Sequence, residues 1–149
     1  MAIQKNDISD AEFEAVIFEL LKEFGFAPER ENDLIHLTGV GVGNNDNSVN
    51  ICLNLIEMDG HRILEITSNL DAPGVSFEKE TLIAAQGNIS CHIAKFIPVE
   101  HLDKGVHYVQ AGFFLYADHL SGMELKSILY LFIKEVDAID NTLIEMLKK

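Results

Sequence analysis

The sequence predicts one α+β domain over residues 1–149, with elements in the order α-β-β-β-α-β-β-α and helices packed on an antiparallel sheet. Two observations carry this prediction. Two capping boxes each precede apolar residues at helical spacing. Between them, apolar and polar residues alternate in short segments that end at turns. Hydrophobic residues make up 48% of the 149 and charged residues 23%, which excludes a disordered acidic chain.

The first element is an amphipathic helix. Ser9 and Glu12 form a capping box, in which each side chain bonds a free backbone N–H group of the first turn. Gly25 provides a left-handed residue at which the helix ends. Apolar residues recur between these signals at three- and four-residue spacing, namely Phe13, Val16, Ile17, Leu20, Leu21 and Phe24.

Three strands follow as an antiparallel meander. The first covers residues 34–42, and the second, 49–55, alternates apolar residues with Asn and Cys. Asp59-Gly60 predicts a two-residue hairpin, because this turn needs positive φ at both positions. The third strand then runs over 61–68, with Arg62, Leu64 and Ile66 on one face.

The second helix and two further strands come next. Ser76 caps a helix to about Ser90, followed by a strand over 92–99. Pro98 either confines this strand to a sheet edge or marks its end, because proline cannot donate to a ladder. Residues 106–117 form the longest strand. The predicted inner stripe of the helix is Leu82, Ala85, Gln86, Ile89 and Ile93.

The last helix begins at the capping box Ser121–Glu124. Its apolar residues recur at alternating four- and three-residue steps, the pattern of a helix that lies along another surface or a partner helix. These residues are Leu125, Leu129, Phe132, Val136, Ile139, Leu143 and Met146.

The charge and the hydropathy pattern of the chain disfavour several classes of function. Eleven basic against 24 acidic residues give a net charge of -13, which disfavours nucleic-acid binding because phosphate neutralisation needs clustered Lys and Arg. The first 25 residues hold no signal-peptide pattern, and no apolar run reaches about 18 residues. We therefore expect a cytoplasmic protein without membrane contact, in which Cys52 and Cys91 are reduced.

Four segments resemble the bacterial YbjN-like proteins, which share a fold with the small acidic chaperones of type III secretion. The resemblance spans residues 9–146, although the glycine-rich first strand and the Asn-rich turn at 44–47 have no match in it. It implies a non-enzymatic, dimer-prone module, either a candidate regulator of sensory transduction or a chaperone that wraps segments of partner proteins. It supplies no catalytic residue. The matching segments are Asn88, 92–96 (HIAKF), 108–111 (YVQA) and 121–125 (SGMEL).

The sequence indicates no cofactor site, no metal site and no catalytic centre. His101 and His107 lie on either side of a hairpin, but three or four converging zinc ligands are not indicated. The loop 44–47 offers oxygens to calcium yet lacks EF-hand spacing, and the glycines between 39 and 43 do not precede a helix as a dinucleotide site requires. A reactive thiol at Cys52 stays a minor alternative.

The long strand carries the feature most suggestive of function. One face holds Val109, Ala111, Phe113 and Leu115, whereas the opposite face is aromatic rather than charged. We predict that a homodimer or partner-protein interface involves Tyr108, Phe114 and Tyr116 on this face, or Val136, Ile139 and Leu143 on the last helix. If the last helix instead crosses the aromatic face, this surface is buried. The predicted function is a chaperone-like or regulatory interaction module; the alternative is a ligand-binding protein or enzyme with a cleft between sheet and helices, enclosing His92 or Cys52.

Overall fold

The structure is a computed structural model that describes residues 2–4, 9–40, 49–71 and 73–147. Within these ranges it contains three helices, α1 (Asp10–Glu23), α2 (Phe77–Ser90) and α3 (Gly122–Leu147). The predicted order of the long elements is confirmed, and three strands of three residues each, β1, β2 and β8, are added to it. The strands are β1 (Ala2–Gln4), β2 (Glu29–Glu31), β3 (Leu34–Val40), β4 (Val49–Met58), β5 (His61–Leu70), β6 (Lys95–His101), β7 (Val106–Tyr116) and β8 (His119–Ser121).

Six strands form one antiparallel sheet in the order β2-β3-β4-β5-β7-β6. β1 and β8 pair separately. The hairpin between β4 and β5 turns at Asp59 and Gly60, whose φ angles of 51° and 79° are the positive values that the sequence predicts. β6 is an edge strand, so Pro98 lies where its missing N–H group costs no ladder bond. The predicted turn at 44–47 lies outside the described residues.

All three helices pack on the same face of the sheet. Arg62, which points from β5 into the core, lies over the ring of Phe13 in α1 and donates to the Asp10 carboxylate at 2.7 Å. His107, on the same face of β7, bonds the buried carboxylate of Glu80 in α2. The apolar stripe of α3 completes this core: Leu125, Leu129, Phe132, Val136, Ile139 and Leu143 are all buried.

The predicted inner stripe of α2 is wrong. Leu82 and Ile89 are 59% and 87% exposed, and the helix instead buries Glu80, Ile83, Ala84 and Gly87. The reason is the close approach of α2 to β6, where a Cβ atom on Gly87 would lie 2.7 Å from a carbon of the Phe96 ring. Ala84 and Gly87 therefore face the sheet together with Ile83 and Glu80, whereas Leu82 and Ile89 point away from it.

One carboxylate ties α3 to the loop between α2 and β6. Glu135 is buried and accepts the backbone N–H groups of Ile93 at 2.9 Å, Ala94 at 3.0 Å and His92. Burial opposes its charged form, but these three bonds together with the nearby His92 ring outweigh burial and hold the pKa of Glu135 below its ordinary value. The loop that leads into β6 is thus fixed by the third helix.

Among the described residues, none of the helices combines the length and apolar character needed to cross a membrane.

Candidate functional site

No part of the chain that the structure describes covers the face of the sheet opposite the helices. We call it the open face and define it as the outward-pointing residues of β4, β5, β7 and β6. Because all three helices lie on the other side, aromatic and aliphatic side chains remain exposed here, with Phe114 at 60%, Tyr116 at 64% and Ile97 at 56%. Soluble proteins seldom leave such residues contiguous unless a partner covers them.

The open face carries little charge, in contrast to the rest of the chain. Within these four strands, every residue of which the structure describes, Glu65 and Lys95 are the two outward residues with a full charge. They have opposite signs and flank β7 on either side, Glu65 beside Phe114 and Lys95 beside Gly112. A chain with net charge -13 therefore presents one nearly neutral surface.

A pocket of about 480 Å³ opens on this face above Gly112. Lys95 and Thr67 are the register partners of Gly112 on its two sides, and Phe114 stands two residues along the same strand. A Cβ atom built on Gly112 meets nothing closer than 4.0 Å. Glycine inside a strand costs about 0.5–1 kcal/mol and often marks close approach of another group. Its lining combines apolar side chains with polar or charged ones, the latter being Glu65, Thr67, His92, Lys95 and Gln110. A mostly apolar surface with a few polar groups is typical of a ligand pocket.

A second cavity, of about 420 Å³, lies where β7 turns into β8. The Asp118 carboxylate contacts His61 Nδ1 at 2.8 Å and accepts the Arg62 backbone N–H group at 3.1 Å. The His61 ring meets Tyr116 edge to face at 5.6 Å between centroids. This arrangement holds the imidazole in one orientation with its Nε2 atom directed away from Asp118, as a general base or a ligand-binding His requires. His119 and Glu124 complete the lining.

The surroundings of both cysteine thiols disfavour the thiolate form. Burial raises the pKa of Cys52, and the negative charge of Glu65 raises it further. A hydrogen bond with the Thr67 side chain lowers this pKa but does not outweigh burial. Burial also raises the pKa of Cys91, with a further contribution from Glu135. Neither residue forms a disulfide. Since the thiolate is the reactive form, the two side chains are packed thiols rather than activated ones.

The histidines that the sequence places near one another lie on opposite faces of the sheet. His107 points toward the helices and Glu80, while His101 lies on the open face with Nε2 at 3.4 Å from the Tyr108 hydroxyl. Among the described residues, His, Cys, Asp and Glu side chains form no group of three placed to hold a metal ion. The candidate calcium loop at 44–47 lies outside those residues.

The structure divides the predicted interface residues into two sets. Tyr108, Phe114 and Tyr116 lie on the open face, where the predicted alternative, burial beneath the last helix, does not occur. The prediction that Val136, Ile139 and Leu143 belong to an interface is wrong, because these side chains fill the core between α3 and the sheet. Of the two predicted surroundings of this helix, another surface of the same molecule or a partner helix, the structure shows the first.

The sequence analysis named a cleft enclosing His92 as part of the alternative function, and His92 does line the pocket at Gly112. It overlooked the position of this pocket on the sheet and its neighbours Lys95, Ile97 and Thr67. The available signal was a glycine in the middle of an alternating strand whose neighbours on the same face are Gln110 and Phe114. The carboxylate of Glu135 was overlooked as well, because its partners are backbone groups more than 40 residues away.

Comparison with solved structures identifies the fold. The crystal structure of YbjN from E. coli, described as "a putative transcription regulator", superposes with a TM-score of 0.62 at 12% sequence identity. The match covers 85% of this chain and 87% of YbjN. This chain has a YbjN-like fold. The resemblance predicted from the sequence is thereby confirmed at the level of the fold.

Two comparisons at the level of sequence found no match. No family model matches this chain, and no curated protein matches it.

Proposed function

We propose that this chain is a non-enzymatic protein-interaction module, regulatory or chaperone-like, that acts in the cytoplasm and binds a segment of another protein through the open face. The observation that carries this proposal is the one-sided packing of the helices, which leaves Phe114, Tyr116 and Ile97 exposed on a central and an edge strand. An apolar sheet face with a pocket suits a segment that places side chains at regular intervals. The YbjN-like fold supports a regulatory role, since YbjN itself is described in regulatory terms.

Charge favours a basic partner. The chain carries 24 acidic residues, and Glu65 is the one that lies on the open face, so the surrounding surface is negative while the contact surface is nearly neutral. Negative potential around an apolar surface attracts basic segments and speeds their association. A partner segment with apolar residues flanked by Lys or Arg therefore matches both properties.

A second candidate function, a small-ligand site or an enzyme, is favoured by the oriented His61–Asp118 pair beside the 420 Å³ cavity. Among the described residues that line this cavity there is no Ser, Thr or Cys for His61 to activate. We therefore rank this candidate second. Replacing His61 by Ala separates the two functions, because it removes the oriented imidazole and leaves Phe114 and the Gly112 pocket in place.

Selection from a random peptide library tests the proposed function. We expect enriched peptides to combine apolar residues with Lys or Arg, and Phe114→Asp to weaken their binding at least tenfold by fluorescence anisotropy. Ile89→Asp is the matched control, because Ile89 is a large apolar residue that is even more exposed than Phe114 but lies on α2, on the helix side of the molecule. Absence of enrichment, or equal binding by both variants, contradicts the proposal. Loss of binding in His61→Ala with retention in Phe114→Asp favours the second candidate.

A further inference from the structure

Glu65 places a carboxylate in the middle of the open face, where it lies half-buried on β5. Among the described residues, no basic side chain comes within ion-pair distance of this carboxylate, and no group donates a hydrogen bond to it. A charge that leaves water costs free energy unless a partner offsets the loss of hydration. We propose that this carboxylate binds an arginine side chain of the partner segment, with the guanidinium group stacked on the Phe114 ring. The inference rests on the proposed function, because it names the residue that the same surface recognises.

The strand register sets the carboxylate directly beside the ring. Glu65 and Phe114 are register partners on β5 and β7, and both point to the open face. Directly opposed residues of an antiparallel pair have Cβ atoms about 4.5–5.5 Å apart. The Phe114 ring is 60% exposed, so its surface is accessible next to the carboxylate. Asn54, the register partner of Glu65 on β4, adds an amide to the same row.

A row of amide, carboxylate and aromatic ring matches the chemistry of arginine. The guanidinium group is planar and carries its N–H donors in a fixed fork, which bonds a carboxylate through two parallel hydrogen bonds. The same plane stacks on an aromatic ring, where the positive charge meets the negative face of the ring. The ammonium group of lysine is a compact, strongly hydrated charge that gains less from a ring. Arginine therefore uses both Glu65 and Phe114, whereas lysine uses mainly the carboxylate.

The second charge on the open face lies away from Glu65. Lys95 is on β6, two strands from β5, and is the register partner of Gly112 rather than of Phe114. A strand spacing of about 4.8 Å and a rise of about 3.4 Å per residue separate the Cα atoms of Glu65 and Lys95 by roughly 12 Å. The net charge of -13 also disfavours an acidic residue of the partner above Glu65. The position above Glu65 and Phe114 is thus suited to a cation.

The pocket at Gly112 determines which residue accompanies the arginine. Gly112 and Phe114 are two residues apart on β7, and residues with this spacing point to one face about 6.8 Å from each other. An extended segment that runs along β7 has the same spacing between its own residues. An arginine above Phe114 therefore places the residue two positions away over the pocket. The recognised pattern is an arginine and an apolar residue with one residue between them.

Peptide selection with matched variants tests the inference. We expect the wild-type chain to enrich arginine over lysine in a random peptide library, with an apolar residue two positions away. Glu65→Gln should abolish this preference, because it removes the charge and retains the size of the side chain. Glu65→Lys should reverse the preference and enrich Asp or Glu. Lys95→Gln is the control, because it removes the other charge of the open face and should leave the preference for arginine intact.

Affinities of individual peptides separate recognition from stability. In an enriched peptide, citrulline in place of arginine keeps the shape of the side chain but removes its charge. We expect this change to weaken binding to the wild-type chain by about tenfold to a hundredfold in fluorescence anisotropy, as for a hydrogen-bonded ion pair. The two peptides should bind Glu65→Gln within about twofold of each other. Urea unfolding should give the same midpoint for wild type and Glu65→Gln, because among the described residues Glu65 has no partner to lose.

Enrichment without a preference for arginine, or a preference that Glu65→Gln retains, overturns this inference. If the enriched peptides still lose affinity with Phe114→Asp, the proposed function stands. A Glu65→Gln variant that unfolds at a lower urea concentration and binds no peptide also overturns the inference, because Glu65 then supports the fold. A wild-type chain that enriches no peptide contradicts the proposed function and this inference with it.

Discussion

Replacing Glu135 tests how helix α3 holds the loop that enters β6 beside the Gly112 pocket. The buried carboxylate accepts three backbone N–H groups, from His92, Ile93 and Ala94. Hydrogen bonds to a charged group contribute about 1.5–3 kcal/mol each, and buried donors left without a partner add a penalty. Since contributions of neighbouring bonds are not additive, we expect Glu135→Ala to lower the free energy of unfolding by about 3–5 kcal/mol.

Glu135→Gln refines the measurement. Its amide oxygen retains the bonds that Oε1 makes to Ile93 and Ala94, while its NH₂ group faces the His92 N–H group and repels it. We expect a loss of about 1–3 kcal/mol at pH 7 by urea unfolding. Glu19→Gln is the control, because Glu19 forms an exposed pair with Lys22, and its replacement should cost below about 0.5 kcal/mol.

The difference between wild type and Glu135→Gln should depend on pH. The folded-state pKa of Glu135 lies below the ordinary value of 4.5, so the unfolded chain takes up a proton first as the pH falls. The ionised carboxylate thus contributes its full stability above about pH 4.5 and loses it as the pH drops through the folded pKa. A difference that stays constant from pH 7 to pH 3, or that does not exceed the Glu19→Gln control, would refute the role of Glu135.

Two further predictions concern packing. Gly87→Ala should lower the free energy of unfolding by about 1–3 kcal/mol, because the added Cβ atom meets the Phe96 ring, and this outweighs the helix preference of alanine. Adding Phe96→Leu to the same chain should recover part of the loss. Thermal unfolding measures both changes. Leu143→Asp should unfold the chain at 37 °C, as judged by circular dichroism, because it buries a charge in the core, whereas Phe114→Asp should leave the melting temperature within a few degrees of wild type. A folded Leu143→Asp variant would contradict the assignment of α3 to the core.

Local signals in the sequence were enough to predict most helices and strands, and to predict which residues of β7 point to each face of the sheet. The hydroxyls of Ser9 and Ser76 accept the backbone N–H groups that helix capping predicts, and Asp59-Gly60 turns as its positive φ values require. The alternation along β7 separated the buried Val109 from the exposed Phe114. Caps, turns and strand alternation depend on residues that are close together in the chain, so one sequence is enough to predict them.

The tertiary structure alone decided which apolar surfaces remain exposed. The stripe on α3 is the same in sequence whether it contacts a partner or its own sheet, and only the packing of three helices on one face places Leu143 in the core. The inner side of α2 likewise follows from the close contact of Gly87 with Phe96, not from the positions of Leu82 and Ile89. Burial is a sum over contacts distant in sequence, so periodicity predicts that a face is apolar but not what covers it.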